Sequence, residues 1–130
     1  MRYVTCNGCF DGLHPGHLFF LGYCLAQGDR LIVGLNSDDY IKKHKREDPN
    51  RTEHERIDDL MNLGFIYMAV VFREDTPIQF IRNTKPDVHC NGEEYGEDCV
   101  EAKICAEIGA KLVLVPRIGG WSTKNGSKIF

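Results

Sequence analysis

The sequence predicts an α/β fold, a three-layer sandwich in which helices cover both faces of a five-stranded parallel sheet. Two observations carry this prediction. Apolar, strand-like runs alternate with helix-like segments along the chain, the pattern produced by successive right-handed β–α–β crossovers. The runs are also nearly continuous in apolar character, as strands buried on both faces are. No linker, composition break or internal repeat interrupts the 130 residues, so residues 1–130 are expected to form a single domain with one real core.

Residues Tyr3 to Asn7 read as the first strand, and the glycine-bearing stretch Gly8 to His17 follows it. The first helix is expected from Pro15 or Gly16 to Gln27, with proline in a favoured early position and Gly28-Asp29 as the stop. Arg30 to Asn36 is the second strand, and Ser37 caps a short helix through Asp38, Asp39, Tyr40 and Ile41. Lys42 to Arg46 is strongly basic and leads into a polar loop ending at Asn50. Thr52 and Glu55 form a capping box for a helix to about Leu63, closed by Gly64, with Ile57, Leu60 and Met61 on one face and Arg56 near its polar side. Tyr67 to Phe72 is the third strand. Asp75-Thr76-Pro77 opens a helix to about Asn83. Val88 to Cys90 is the fourth strand, followed by the polar loop Asn91 to Gly96, a helix from about Asp98 to Ile108, and a fifth strand from Lys111 to Val115.

Composition narrows the function. A net charge of −3 argues against a general nucleic-acid binder, which needs a basic balance. The longest apolar run, Leu18 to Ala26, is too short to span a bilayer, and with no leader-like segment before the first strand a cytoplasmic location is expected. The six cysteines are then expected to be reduced, several of them at core positions. Cys6-x-x-Cys9 lacks the matching second pair that a zinc or redox site calls for.

Chemistry concentrates in Gly8-Cys9-Phe10-Asp11-Gly12-Leu13-His14-Pro15-Gly16-His17. A strand, a glycine-bearing turn and a helix start together present backbone N–H groups to an anion. His14 and His17, three residues apart in the first helical turn, share a face and could hold phosphate oxygens with the helix dipole behind them. Surface or metal-binding histidines are the alternative, although no third ligand stands at a fixed spacing nearby. The basic segment is either a solvated helix end or an anion contact, and its place after a strand favours the second beside a phosphate-binding turn. Ligands of parallel sheets bind beyond the carboxyl ends of the strands. The histidine turn, the basic segment, the Asn91–Tyr95 loop and the tail from Arg117 to Thr123 all follow strands and can meet in one crevice.

These motifs resemble those of the HxGH nucleotidyltransferases, the cytidylyltransferase-like superfamily, which implies a Rossmann-like form of the sandwich. Gly28 to Asp38, Glu74-Asp75-Thr76-Pro77, Lys85-Pro86-Asp87 and Trp121-Ser122-Thr123 are similar to heptose-1-phosphate adenylyltransferases of the ADP-heptose synthase family. Pro116-Arg117 to Ser122-Thr123 and the compact length are also similar to glycerol-3-phosphate cytidylyltransferase. The resemblance implies a catalytic set of His14, His17, Lys45 and Arg117. It implies nucleotide contacts from Gly8, Cys9, Phe10, Asp11 and Gly16, a base pocket at Gly92, Glu93, Glu94 and Tyr95, and triphosphate contacts from Ser122 and Thr123. Lys42 and Arg56 would meet the acceptor, and Mg²⁺ would arrive with the triphosphate. Two departures bear on substrate choice: Lys124 replaces a threonine of the tail motif, and Asn91 stands where the heptose enzymes usually carry lysine.

The leading reading is therefore nucleotidyl transfer from a nucleoside triphosphate, ATP favoured, to a sugar phosphate such as heptose 1-phosphate, with release of pyrophosphate. The first alternative is a cytidylyltransferase using CTP and a small phosphorylated alcohol such as glycerol 3-phosphate or phosphocholine. The second is a non-catalytic nucleotide-binding domain. Family resemblance and the rings of Phe19, Phe20 and Tyr23 also suggest a homodimer, with core packing of those rings as the competing explanation.

Overall fold

A computed structural model of the chain describes residues 1–117. Along the chain run β1 (Tyr3–Gly8), α1 (Pro15–Leu25), β2 (Arg30–Asn36), α2 (Asp38–Lys45), α3 (Glu53–Met61), β3 (Met68–Phe72), α4 (Ile78–Thr84), β4 (Val88–Gly92), a 3₁₀ turn (Glu93–Tyr95), α5 (Glu101–Ile108) and β5 (Lys111–Val115). The strands form one sheet in the order β3-β2-β1-β4-β5, and every pairing is parallel. The order runs outward from β1 in both directions, so the topological switch point, where such sheets bind ligands, falls between β1 and β4.

Alternation along β2 shows how the sequence separates the layers. Leu31, Val33 and Leu35 join Val4, Cys6, Val88 and Cys90 in the larger core, against Leu21 and Cys24 of α1 and Leu60 of α3. Ile32 points the other way, into a smaller core with Phe72, Phe80, Ile81 and Ile104 beneath α4 and α5. On that same face Gly34 lets the Phe80 ring lie against the strand, since an added Cβ would stand 2.8 Å from Cε2 of the ring. Phe19, Phe20 and Tyr23 pack as partly buried side chains against the larger core, which accounts for these rings without a second copy of the chain. Among the described residues, no helix is long and apolar enough to cross a membrane.

Several boundaries differ from expectation, each for a local reason. Helix α2 continues through Lys45, because Lys42 to Lys45 sit at the negative end of its dipole and Arg46 closes it in the left-handed region at φ 57°. Strand β4 reaches Gly92, so Asn91 and Gly92 are held by the sheet rather than lying in a loop. Helix α5 begins only at Glu101, preceded by Val100 with no side-chain cap. Helices α1 and α3 each stop two residues short of the expected end.

Two glycines give opposite expectations for stability. Gly22 lies exposed inside α1 with open space around its Cβ position, so Gly22→Ala should raise the unfolding free energy by about 0.5–1 kcal/mol through helix propensity. At Gly28 a Cβ would meet Val4 Cγ2 at 2.7 Å and the Arg2 carbonyl at 2.8 Å. Gly28→Ala should therefore lower stability by about 1–3 kcal/mol, and denaturant titration of both variants checks the contrast.

Candidate active site

An open cleft of about 810 Å³ lies over the carboxyl ends of β1, β2, β4 and β5. Its centre is formed by Gly8, Cys9 and Phe10 of the turn after β1, with His14, Gly16 and His17 at the start of α1. One wall comes from Tyr40, His44 and Lys45 of α2 and from Asp75, Thr76 and Pro77 before α4. The opposite wall holds Asn91, Gly92, Glu94 and Tyr95, with Val115, Pro116 and Arg117 at the end of β5. The four segments expected to meet in one crevice thus do so as far as the described residues reach. Ser122 and Thr123, and the departure at Lys124, lie outside the described residues.

The turn is tightly determined. Phe10 adopts φ 48°, an uncommon conformation for a bulky side chain, and Gly12 follows at φ 93°. That strain is held by packing: the Phe10 ring covers Gly8, where a Cβ would stand 3.0 Å from Cε2, and meets the His17 ring edge-on at 5.2 Å. His14 then caps α1 with extended backbone, and the two histidines cap each other. His14 Nδ1 accepts from the His17 backbone N–H, and His17 Nδ1 accepts from the His14 backbone N–H, both at 3.3 Å. The rings stack 3.7 Å apart. Because each Nδ1 accepts, the proton of each neutral ring resides on Nε2. Two helix-terminal N–H groups are satisfied, and two imidazoles are locked in the Nε2–H tautomer at the positive end of a helix.

Burial lowers the His17 pKa to about 4, with the neighbouring His14 and Lys45 adding to the effect, and burial also lowers that of His14. Both rings are therefore neutral donors at neutral pH. The positive charge of the cleft is carried instead by α2 and Arg117. On α2, Lys43 and His44 bind the Asp75 carboxylate at 3.3 and 3.5 Å, holding it below the usual carboxylate range. Lys45 lines the cleft and makes no ion pair among the described residues, leaving its charge available to an anion. Lys42 is exposed and lies away from the cleft lining.

Four expected contacts take a different form. Arg56 lies not on the polar side of α3 but fully buried. Its Nη1 donates to the carbonyls of Cys9 at 3.0 Å and Asn36 at 2.7 Å, Nη2 binds the Asp38 carboxylate at 2.7 Å, and Nε donates to the Arg51 carbonyl at 3.1 Å. It ties the turn, the end of β2 and α2 together, and is too enclosed to meet an acceptor. Asp11 is likewise buried and accepts from the backbone N–H groups of Asn50 and Arg51 at 2.8 and 2.7 Å, so it anchors a loop instead of facing the cleft. Glu93 is exposed outside the lining, while Glu94 folds its carboxylate back over Gly92.

One buried polar set carries no motif in the sequence. Beneath the β4 wall, the His89 ring is fully buried, with Nδ1 2.7 Å from Thr5 Oγ1 and Nε2 3.9 Å from the Glu101 carboxylate. Glu101 accepts from Asn91 Nδ2 at 3.0 Å, and Asn91 Oδ1 accepts from the Gly92 N–H at 3.1 Å. Burial pushes the Glu101 carboxyl up, but the contacts of His89, the backbone and Cys99 together outweigh it, and the group is held below its ordinary value. Two cysteines, Cys9 and Cys99, line the cleft, whereas Cys6, Cys24, Cys90 and Cys105 are buried. Burial raises the Cys9 thiol, which keeps it protonated, and Cys6 and Cys9 lie in different environments, core and cleft.

Two measurements test this geometry. Arg56→Met leaves the Cys9, Asn36 and Arg51 carbonyls without their donor, and should lower stability by about 3 kcal/mol in denaturant titration. For His17 the folded pKa lies below the unfolded 6.5, so the unfolded chain binds more protons in that interval. Its contribution is complete above pH 6.5 and is lost as the pH falls toward about 4. The melting temperature of His17→Asn should therefore fall less than that of the wild type across this window.

Comparison with known proteins agrees with the geometry. The family model described as Cytidylyltransferase-like matches residues 5–124. Bifunctional protein HldE of Gluconobacter oxydans is 40% identical over 124 residues, 94% of this chain and 26% of the relative. Bifunctional protein HldE of Helicobacter hepaticus is 43% identical over 125 residues, 95% of this chain and 25% of the relative. The chain thus spans about a quarter of the length of these relatives. A lipopolysaccharide core biosynthesis protein from Thermoplasma volcanium superposes with a TM-score of 0.71 at 26% identity, covering 91% of this chain and 97% of that one. Pantoate-beta-alanine ligase from Francisella tularensis shares the fold, with a TM-score of 0.66 at 13% identity over 94% of this chain and 60% of its own. With the family match spanning nearly the whole chain and the paired histidines set at a helix start in a five-stranded parallel sheet, the chain belongs to the cytidylyltransferase-like family of nucleotidyltransferases.

Proposed function

We propose that this domain transfers a nucleotidyl group from a nucleoside triphosphate, ATP favoured, to a phosphorylated sugar such as heptose 1-phosphate. The observation that carries the reading is the reciprocal capping of His14 and His17, which gives two neutral Nε2–H donors at a helix N-terminus in the cleft. An oxygen of the acceptor phosphate attacks the α-phosphorus, a new P–O bond forms, and the bond to the bridging oxygen of the β-phosphate breaks to release pyrophosphate. The acceptor is already anionic at neutral pH, so the step needs no general base. Catalysis then consists of positioning and of stabilising charge on the phosphoryl oxygens, by His14, His17, Lys45 and Arg117.

The two walls suit two ligands. Tyr95, Val115 and Pro116 offer apolar surface to a planar base, while Lys45, His44, Asp75 and Thr76 offer charge and hydroxyl chemistry to a phosphorylated, hydroxyl-rich acceptor. Among the described residues, no group of three or more His, Cys, Asp or Glu is arranged to hold a metal. In this reading Mg²⁺ arrives with the triphosphate as part of the substrate. A second reading uses CTP and a small alcohol phosphate: the Glu94 carboxylate, at the cleft beside Gly92, can accept from the exocyclic amine of cytosine as well as from that of adenine. A homodimer is part of the leading reading and is tested by sedimentation.

Pyrophosphate release should be measured with Mg²⁺ and each of ATP, CTP, GTP and UTP, against heptose 1-phosphate, glycerol 3-phosphate and phosphocholine. Turnover with ATP and the sugar phosphate is expected, and His17→Ala should reduce kcat by about 10²–10³. Turnover with CTP and an alcohol phosphate instead would select the second reading. Nucleotide binding without any pyrophosphate release would make this a binding domain.

A further inference from the structure

We infer that Asn91 reads the nucleobase, and that the buried pair His89 and Glu101 fixes the direction in which its amide reads. The inference deepens the nucleotidyltransferase reading above and rests on it.

Asn91 lies at the end of β4, is 6% exposed and lines the wall that carries Tyr95, Val115 and Pro116. An asparagine amide is nearly symmetric in shape, and only its neighbours decide which end donates and which accepts. Here both neighbours are unambiguous. The Glu101 carboxylate can only accept, so Nδ2 must face it; the Gly92 N–H can only donate, so Oδ1 must face that. One N–H and one oxygen lone pair of Asn91 remain, a donor beside an acceptor in fixed order, which is the complement of an acceptor beside a donor on a base edge. A site of this kind rejects bases with the reverse order, because its own buried groups would then be left unpaired.

The carboxylate that imposes the order is itself secured. Glu101 is 4% exposed, and its carboxylate accepts from Asn91 Nδ2 at 3.0 Å. His89 Nε2 lies 3.9 Å from it, beyond hydrogen-bond distance, and has no hydrogen-bond partner among the described residues, while Nδ1 is 2.7 Å from Thr5 Oγ1 on β1. The chain Thr5–His89–Glu101–Asn91 therefore runs from the strand that carries the phosphate turn to the wall that would hold the base. Glu101 and His89 do not touch the ligand in this scheme; they are positioning residues.

The test is base preference in binding, independent of any acceptor. Dissociation constants of the Mg²⁺ complexes of ATP, CTP, GTP and UTP are measured by displacement of a fluorescent nucleotide, for the wild type, Glu101→Gln and Asn91→Ala. A glutamine at 101 can donate as well as accept and no longer demands Nδ2, so only the Gly92 N–H still orders the Asn91 amide, and the ratio between the best and second-best base should shrink by up to about tenfold. Asn91→Ala removes the reading group itself, should erase the same ratio, and carries the test if Glu101→Gln fails to fold. A purely structural role would weaken all four nucleotides together. Folded variants that keep the wild-type ratio, or a wild type that binds nucleotides with no base preference, overturn the inference alone. A wild type that binds none of the four overturns the nucleotidyltransferase reading as well.

Discussion

A single buried guanidinium holds the working edge of this sheet together. Arg56 gathers the carbonyl of Cys9 from the turn after β1, the carbonyl of Asn36 at the end of β2 and the carboxylate of Asp38 in the first turn of α2. Parallel strands end in polar backbone that must be satisfied or exposed to water, and a cleft cannot be shaped where every carbonyl is solvated. With Arg56 supplying donors from below, the turn is free to present its upper side to a ligand. Asp11 does the complementary work by binding the N–H groups of Asn50 and Arg51. Between them, an arginine and an aspartate that look like ligand-binding groups in the sequence form the frame for those that line the cleft.

This explains what the sequence revealed and what it hid. Strands β2 and β5 have the bounds expected from their apolar runs, and the capping box of Thr52 and Glu55 starts α3 where its spacing places it. Such features are local, and local patterns are legible. Arg56 was misplaced because its helical position, between Glu55 and Ile57, says nothing about the three carbonyls and the carboxylate brought to it by other segments. His89 and Glu101 were invisible for the same reason: they lie on different elements and meet only when α5 packs on the sheet. The histidine turn was legible as an anion site, but the mutual capping that fixes its tautomers is a property of coordinates.

Electrostatically the cleft divides its labour. The imidazoles at its centre are desolvated and neutral, with their donors oriented, while the formal charge sits further out on Lys45 and Arg117. On the proposed reading, a triphosphate entering such a site would meet preoriented N–H donors for its phosphate oxygens and cations at the periphery, so the centre would need little reorganisation as charge shifts along the reaction. Asp75 tempers the basic end of α2 by pairing with Lys43 and His44, which leaves Lys45 as the cation of that helix facing the cleft.

Reciprocal capping fixes both histidines as Nε2–H donors, and on the proposed reading those donors meet phosphate. Long-range proton–nitrogen NMR of the imidazoles in the free domain at pH 7, followed by addition of a magnesium nucleoside triphosphate, tests it most directly. The account predicts neutral Nε2–H rings for His14 and His17 before addition, and a downfield shift of both Nε2 protons afterwards. Rings protonated at Nδ1, or Nε2 signals indifferent to the bound triphosphate, would contradict it.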